Sequence, residues 1–317
     1  MFLGQSEIDW ARGDWVLTGV QTKQSMQRYL RTGIFVGLLV CAGVIFSTLN
    51  KPSPLHLIMP AAGEEIVMAP HKALYDFRMI SVQSGTGLND IRGQMFFEID
   101  DTCDAWTTDH RFITEYHYPE RQPLLNSSHY VGWESKDGGL FHFTSEKQQG
   151  NEEKDLLRGV VERASDGSAR AIYSRPADLS FDLGAGYFLP ISHSVELVRR
   201  ARDGDALFNG ILFDGTDADG PVEVNAFIGK KATTEEIEKI AEQNSKIDKA
   251  LLVPEAWHIR MALFLRDDKK NDSPLYEMDL LMHANGVVSD VVVDYRTFKV
   301  RQSLQALETL PPRGCAP

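Results

Sequence analysis

Residues 104–118 read DAWTTDHRFITEYHY. Trp106, Thr108, His110, Phe112, Thr114 and Tyr116 occupy every second position, and Thr107, Asp109, Arg111, Ile113 and Glu115 alternate with them. Side chains of a β-strand point alternately to its two faces, so this stretch predicts a strand with one mostly aromatic face and one mostly charged face. The flanking segments continue the pattern. Residues 71–82 (HKALYDFRMISV), 91–99, 124–134, 139–148, 156–164, 168–174 and 178–183 are rich in aromatic and β-branched residues. Each is bounded by Gly, Asp, Asn, Pro or Ser, and Asp166-Gly167 is a tight-turn signal. Further strands are expected at 207–213, 222–228, 257–266, 274–283, 287–295 and 298–310, with Asn285-Gly286 as a hairpin turn.

Two segments depart from the period of two. In LPISHSVELVRRARDG, residues 189–204, Ile191, Val195 and Val198 have helical spacing. Pro190 suits a first turn, Gly204 suits a stop, and Arg199, Arg200 and Arg202 complement the C-terminal end of the helix dipole. Further on, Thr233 and Glu236 form a capping box ahead of Ile237, Ile240, Ala241 and Ile247. The class is therefore all-β, with about 14 antiparallel strands and two short helices, in a sandwich or barrel of meandering strands.

Residues 33–49 (GIFVGLLVCAGVIFSTL) carry no charge and follow Lys23, Arg28 and Arg31. A basic flank before an apolar run near the N-terminus is an export signal or a membrane anchor. The apolar centre, residues 34–46, is shorter than the roughly 20 residues of a full bilayer crossing and suits a signal-peptide core better. No small-x-small triplet follows Phe46 directly; the nearest is Ala61-Ala62-Gly63, so cleavage is late or the segment stays as an inner-membrane anchor. Val40 before Cys41 is unlike a lipobox. The expected organisation is an N-terminal extension with signal or anchor (1–50), a Pro- and Ala-rich linker (51–69) and a β domain (70–317), placed in the periplasm.

The chain carries a net charge of −12. Residues 1–62 hold five basic residues (Arg12, Lys23, Arg28, Arg31, Lys51) and three acidic ones (Glu7, Asp9, Asp14), so the remainder carries −14. A body this acidic argues against nucleic acid as a partner. Of three cysteines, Cys41 lies in the export segment. Cys103 and Cys315 remain, an even count that reads as one disulfide in an oxidising compartment; the alternative is two separate buried thiols.

HKALYDFRM, the run at 93–96, CDAWTTDHRF, LPISHSVELV, LFDGTD and PLYEMDLLMHANGVVSDVVVDY occur in that order before Cys315. Together they resemble the EipB family, alphaproteobacterial periplasmic proteins linked to cell-envelope integrity and formerly a domain of unknown function. The resemblance covers about residues 70–315 and consists of framework motifs without a catalytic signature. It implies an overlapping spiral of 14 antiparallel strands and a disulfide joining Cys103 to Cys315. It implies no known reaction.

No catalytic or metal motif stands out. Asp214-Gly215-Thr216-Asp217-Ala218-Asp219-Gly220 faintly resembles a calcium loop but lacks the terminal Glu and flanking helices, and reads more simply as a polar turn. His110 and His117, seven apart on one strand, face opposite sides. No GxSxG elbow, HExxH or CxxC is present. His193, just inside the first helix, is a candidate acid or base, with a structural histidine as the alternative.

Aromatics on predicted strand faces are the stronger feature. Tyr75, Phe77, Phe96, Trp106, Phe112 and Tyr116 are the candidate apolar ligand face, continued by Tyr130, Trp133, Phe141 and Phe143. They make either a packed core or a groove for a lipid chain or partner peptide. The expected function is a non-enzymatic periplasmic protein that supports the cell envelope by binding envelope proteins or components, without a cofactor. The alternative is a carrier of a lipid or other apolar ligand in a curved-sheet cavity of several hundred Å³.

Overall fold

The computed structural model describes residues 66–266 and 273–315, together with a two-residue antiparallel ladder of Ile8–Asp9 with Asp14–Trp15. The apolar segment 33–49, Cys41 and the Ala61-Ala62-Gly63 triplet lie outside the described residues.

The first meander is β1 (His71–Val82), β2 (Asp90–Asp101), β3 (Ala105–His117), β4 (Leu124–Ser135), β5 (Leu140–Gln149), β6 (Asp155–Arg163), β7 (Ala169–Arg175) and β8 (Ser180–Gly184). The short β9 (Tyr187–Phe188) and helix α1 (Pro190–Asp203) follow. The second meander is β10 (Leu207–Leu212), β11 (Val222–Lys231), β12 (Ala256–Leu265), β13 (Tyr276–His283), β14 (Val288–Asp294) and β15 (Phe298–Thr309). Helix α2 (Thr234–Ala241) interrupts it after β11.

All these strands belong to one 15-stranded sheet, in which the first and last strands pair at the centre, Tyr75 opposite Leu304. The sheet ends, β8 and β9, are separated in sequence by Ala185 and Gly186 alone, so the sheet curls into a nearly closed barrel. The sheet agrees with the expected barrel of about 14 strands and holds 15. The addition is β9, which pairs parallel with β10 through Tyr187 and Ile211.

Strand pairing sorts the side chains onto two faces. Tyr75, Met95, Phe112 and Ser128 form one cross-strand row, and Ala73, Phe97, His110, Tyr130 and Ser145 form the next. This face packs the interior. Leu197, Val198 and Ala201 of α1 share a core with Phe77, Ile91, Trp257, Ile259, Val293 and Val300. The Leu, Val, Ile and Phe side chains among them each contribute roughly 1.5–3 kcal/mol when fully removed from water. The helix obeys the expected signals: Pro190 opens it, Gly204 ends it at φ 81°, and Ser192 Oγ accepts from Leu189 N at 2.9 Å.

The loop between β10 and β11 lies over the inner face of β4 to β7. Phe213 is buried with its ring 5.5 Å from Phe143. Gly215 has φ 69°, and a Cβ there would overlap the Phe143 ring, so glycine serves both the backbone and the packing.

Helix α2 packs on the opposite face, with Ile237 and Ala241 in a cluster with Ala256 and Leu281. Its capping box is formed, with Glu236 N donating to Thr233 Oγ1 at 3.2 Å and Thr233 N donating to Glu236 Oε2 at 2.7 Å. The helix ends before Ile247, which joins the same cluster from the following segment.

The chain ends tie down at one edge. Cys103, in the β2–β3 turn, is disulfide-bonded to Cys315 across 212 residues, with Cα atoms 5.6 Å apart. Closing a ring of this length corresponds to about 5 kcal/mol in the chain-entropy model, an upper figure. Arg313 Nε adds a bond to Asp100 Oδ2 at 2.9 Å. At the other end, within the segment read as a linker, Met68 is buried beside Ile99 and Ile191, and Ala69 N donates to Asn285 O at 2.9 Å.

Candidate functional site

The structure places Tyr75, Phe77, Trp106, Phe112 and Tyr116 on the inner face and Phe96 on the other. Phe96 pairs with Leu74 and Arg111, one register step from the inner row, and the Arg111 guanidinium lies 5.6 Å from its ring centre. Phe96 therefore leaves the candidate ligand face, and its neighbour Phe97 takes the inward position. The inward residues are engaged by the protein itself. Tyr75 OH donates to Val288 O at 2.6 Å. Trp106 packs with Ile99 and Ile191, under the Lys136 ammonium at 4.9 Å. Tyr116 meets the Phe298 ring at 6.5 Å. Phe112 is half-buried and borders a groove of about 420 Å³ together with Ser128 and Lys147.

Glu134 is the inner-face group that sequence reading missed. It is buried, and its two oxygens accept from Ile191 N and Ser192 N at 2.8 Å each. A carboxylate facing the first N–H groups of a helix satisfies donors that have no partner within the helix. Burial raises the Glu134 carboxyl above the usual range, and these bonds oppose the shift. Nothing in the sequence signals the pairing, because the partners lie 57 residues apart.

The candidate chemistry resolves into structural roles. His193 is buried between the Phe188 and Phe208 rings, at 6.0 and 5.6 Å, and burial pushes it down to about 4. It is therefore neutral at pH 7, with its Nε2 lacking a hydrogen-bond partner. In the Asp214–Gly220 loop the backbone carbonyls face protein donors. Tyr130 OH donates to Asp214 O (2.8 Å), Ser145 Oγ to Thr216 O (3.0 Å) and Tyr173 OH to Asp217 O (2.9 Å). Carbonyls engaged in this way are not turned toward a shared cation. The described residues contain no cluster of three or more His, Cys, Asp or Glu that could hold a metal ion.

The most enzyme-like arrangement is Ser289 with His283. Ser289 Oγ lies 2.9 Å from His283 Nε2, and His283 Nδ1 lies 2.6 Å from Val253 O. The carbonyl can only accept, so Nδ1 carries the proton and Nε2 accepts from the serine. The pair is nevertheless buried, with Ser289 1% and His283 0% exposed. It locks the β13–β14 hairpin to the segment before β12.

The outer face carries a different feature. Between α2 and β11 to β15 runs a groove of about 700 Å³. Its floor bears two bidentate pairs, Arg260 with Asp279 (2.7 and 2.9 Å) and Arg301 with Asp290 (2.9 and 2.8 Å). Lys230, Lys239 and Phe227 border it. These residues come from a helix and five strands, so no local motif marked them.

The EipB-like family model matches residues 62–311, which span every strand of the large sheet and both helices. The chain belongs to the EipB-like family. The cell envelope integrity protein EipB of Brucella abortus (strain 2308) is 25% identical over 250 residues, covering 78% of this chain and 86% of its own. A crystal structure of a beta-barrel-like protein from Brucella abortus, described as a domain of unknown function, matches with a TM-score of 0.68 and 26% identity. That match covers 78% of this chain and 100% of the other. Within the EipB-like family, then, this chain shares the barrel-like sheet, and α1 and the β10–β11 loop fill much of its interior. Among the described residues no helix is long and apolar enough to cross a membrane.

Proposed function

We propose that this protein supports cell-envelope integrity from the periplasm as a non-enzymatic binding protein, engaging an envelope protein or envelope component with its outer surface. The observation that carries this reading is the occupied interior: α1 and the loop after β10 lie where a ligand of a curved sheet would lie. The name of the Brucella relative supports the envelope role, and the buried Ser289–His283 pair supports a non-enzymatic one. Residues 33–49 export the domain or hold it at the inner membrane. A carrier of an apolar ligand would have to displace α1 and give up the buried core around Val198. The test is deletion of the gene in its own host followed by challenge with bile-type detergent. The expected result is lost resistance, restored by the wild-type chain; resistance unchanged on deletion would overturn the envelope role.

A further inference from the structure

The groove between α2 and the outer sheet face has an uneven charge balance. Its arginines are paired with Asp279 and Asp290, and Glu236, which keeps its negative charge, caps α2 through Thr233 N and Oγ1 and lies 3.5 Å from His258 Nε2. Lys230 and Lys239 are exposed, line the same groove and have no carboxylate within ion-pair distance among the described residues. They come from β11 and α2, in a domain whose total charge is strongly negative. Beside them Phe227 is 53% exposed, and its cross-strand partner Leu207 is 68% exposed. Two ammonium groups without a carboxylate partner, in a groove that also carries an uncovered aromatic ring, form a site for a ligand with a carboxylate and an apolar side chain close together.

We propose that this groove binds an acidic peptide segment of a partner protein, one that places an Asp or Glu within a few residues of a large apolar side chain. The inference rests on the binding reading above and supplies its surface and partner chemistry. A densely charged polyphosphate fits less well. Asp279 and Asp290 on the floor and the acidic body repel a polyanion, whereas one or two carboxylates need no more than the two lysines offer. Lysine is a compact point charge that accepts carboxylates in several orientations, as suits a peptide read mainly through its apolar anchor. The wall is firm, since α2 is capped at its N-terminus and anchored by Ile237 and Ala241.

The test begins with selection of a random 12-residue phage-displayed library on the purified full-length chain. The tightest selected peptide is then measured by fluorescence anisotropy. The expected peptides carry Asp or Glu near Phe, Leu or Trp. Lys230→Glu combined with Lys239→Glu should weaken binding at least tenfold at unchanged thermal stability, while Lys154→Glu, beside the other groove, should leave it unchanged. No enrichment, peptides without carboxylates, or a double variant that binds like the wild type would each overturn the proposal. The double variant is also expressed in the deletion strain, where it is expected to fail to restore detergent resistance. Resistance restored in full with peptide binding lost overturns the groove as the working surface and leaves the envelope reading standing. A deletion strain with no envelope defect removes that reading and leaves the peptide result intact.

Discussion

The two faces of the sheet are made by the same strands, yet one is largely covered, apart from the groove beside Phe112, and the other is not. The inner face is covered by α1 and by the loop after β10, and its aromatic residues spend their polar atoms on the protein's own carbonyls. The outer face carries exposed ion pairs, an open groove and uncovered apolar residues such as Phe227 and Leu207. An aromatic strand face is thus poor evidence for a ligand, because a curved sheet needs large side chains to fill its interior in any case. The informative positions are those that face water and have no partner.

The sharpest way to break this contrast is to place one substitution type on both faces. Val198→Asp puts a charge at a position 0% exposed in α1 and should cost more than about 4 kcal/mol, losing cooperative unfolding in urea. Phe227→Asp, at a position 53% exposed, should change the urea midpoint by less than about 0.5 kcal/mol. Similar losses at both positions would mean that the outer face is also core.

Next in size is the covalent tie. Cys103→Ser should destabilise the oxidised protein by about 2–5 kcal/mol and leave the reduced protein nearly unchanged. Equal thermal midpoints for the oxidised wild type and variant would show that the Cys103–Cys315 bond is dispensable for stability.

The buried histidines give the inner face a pH signature. Burial pushes His71, His110 and His193 down to about 4 from the ordinary 6.5. The unfolded chain therefore binds more protons than the native one below 6.5, so stability is full above that value and is lost as pH falls toward 4. Glu134 and Asp214, raised by burial, act in the opposite direction as pH falls through the carboxylate range. The histidine effect is thus read most clearly from urea unfolding between pH 7 and 5.5. His193→Phe, between two Phe rings, should flatten that slope; an unchanged slope would remove His193 from the account.

Smallest is the outer ion pair. Arg260→Met should cost less than about 1 kcal/mol, because the pair with Asp279 is solvent-exposed. A larger loss would mean that the groove floor carries stability as well as charge.

Much of this fold was legible because long strands repeat a period of two. The run His71–Val82 has the bounds its sequence predicts, and α1 starts at its proline and stops at its glycine. β9 escaped because two residues have no period. The pairing of β1 with β15 left no local trace, since it is set by closure of the whole meander. Phe96 and Phe97 are adjacent and must face opposite ways; hairpin register, not composition, decides which points inward. Glu134 and the groove lysines were invisible for a related reason: each works with residues brought from distant strands and helices.

The claim that the interior is self-filled and the outer face does the binding is tested most directly by native mass spectrometry of the full-length protein, purified under mild conditions from its own periplasm. The expected mass is that of the mature polypeptide less two hydrogens at Cys103 and Cys315, with no lipid retained and none in an organic extract. A stoichiometric lipid adduct that survives purification would contradict it and return the inner aromatic face to the role of a ligand site.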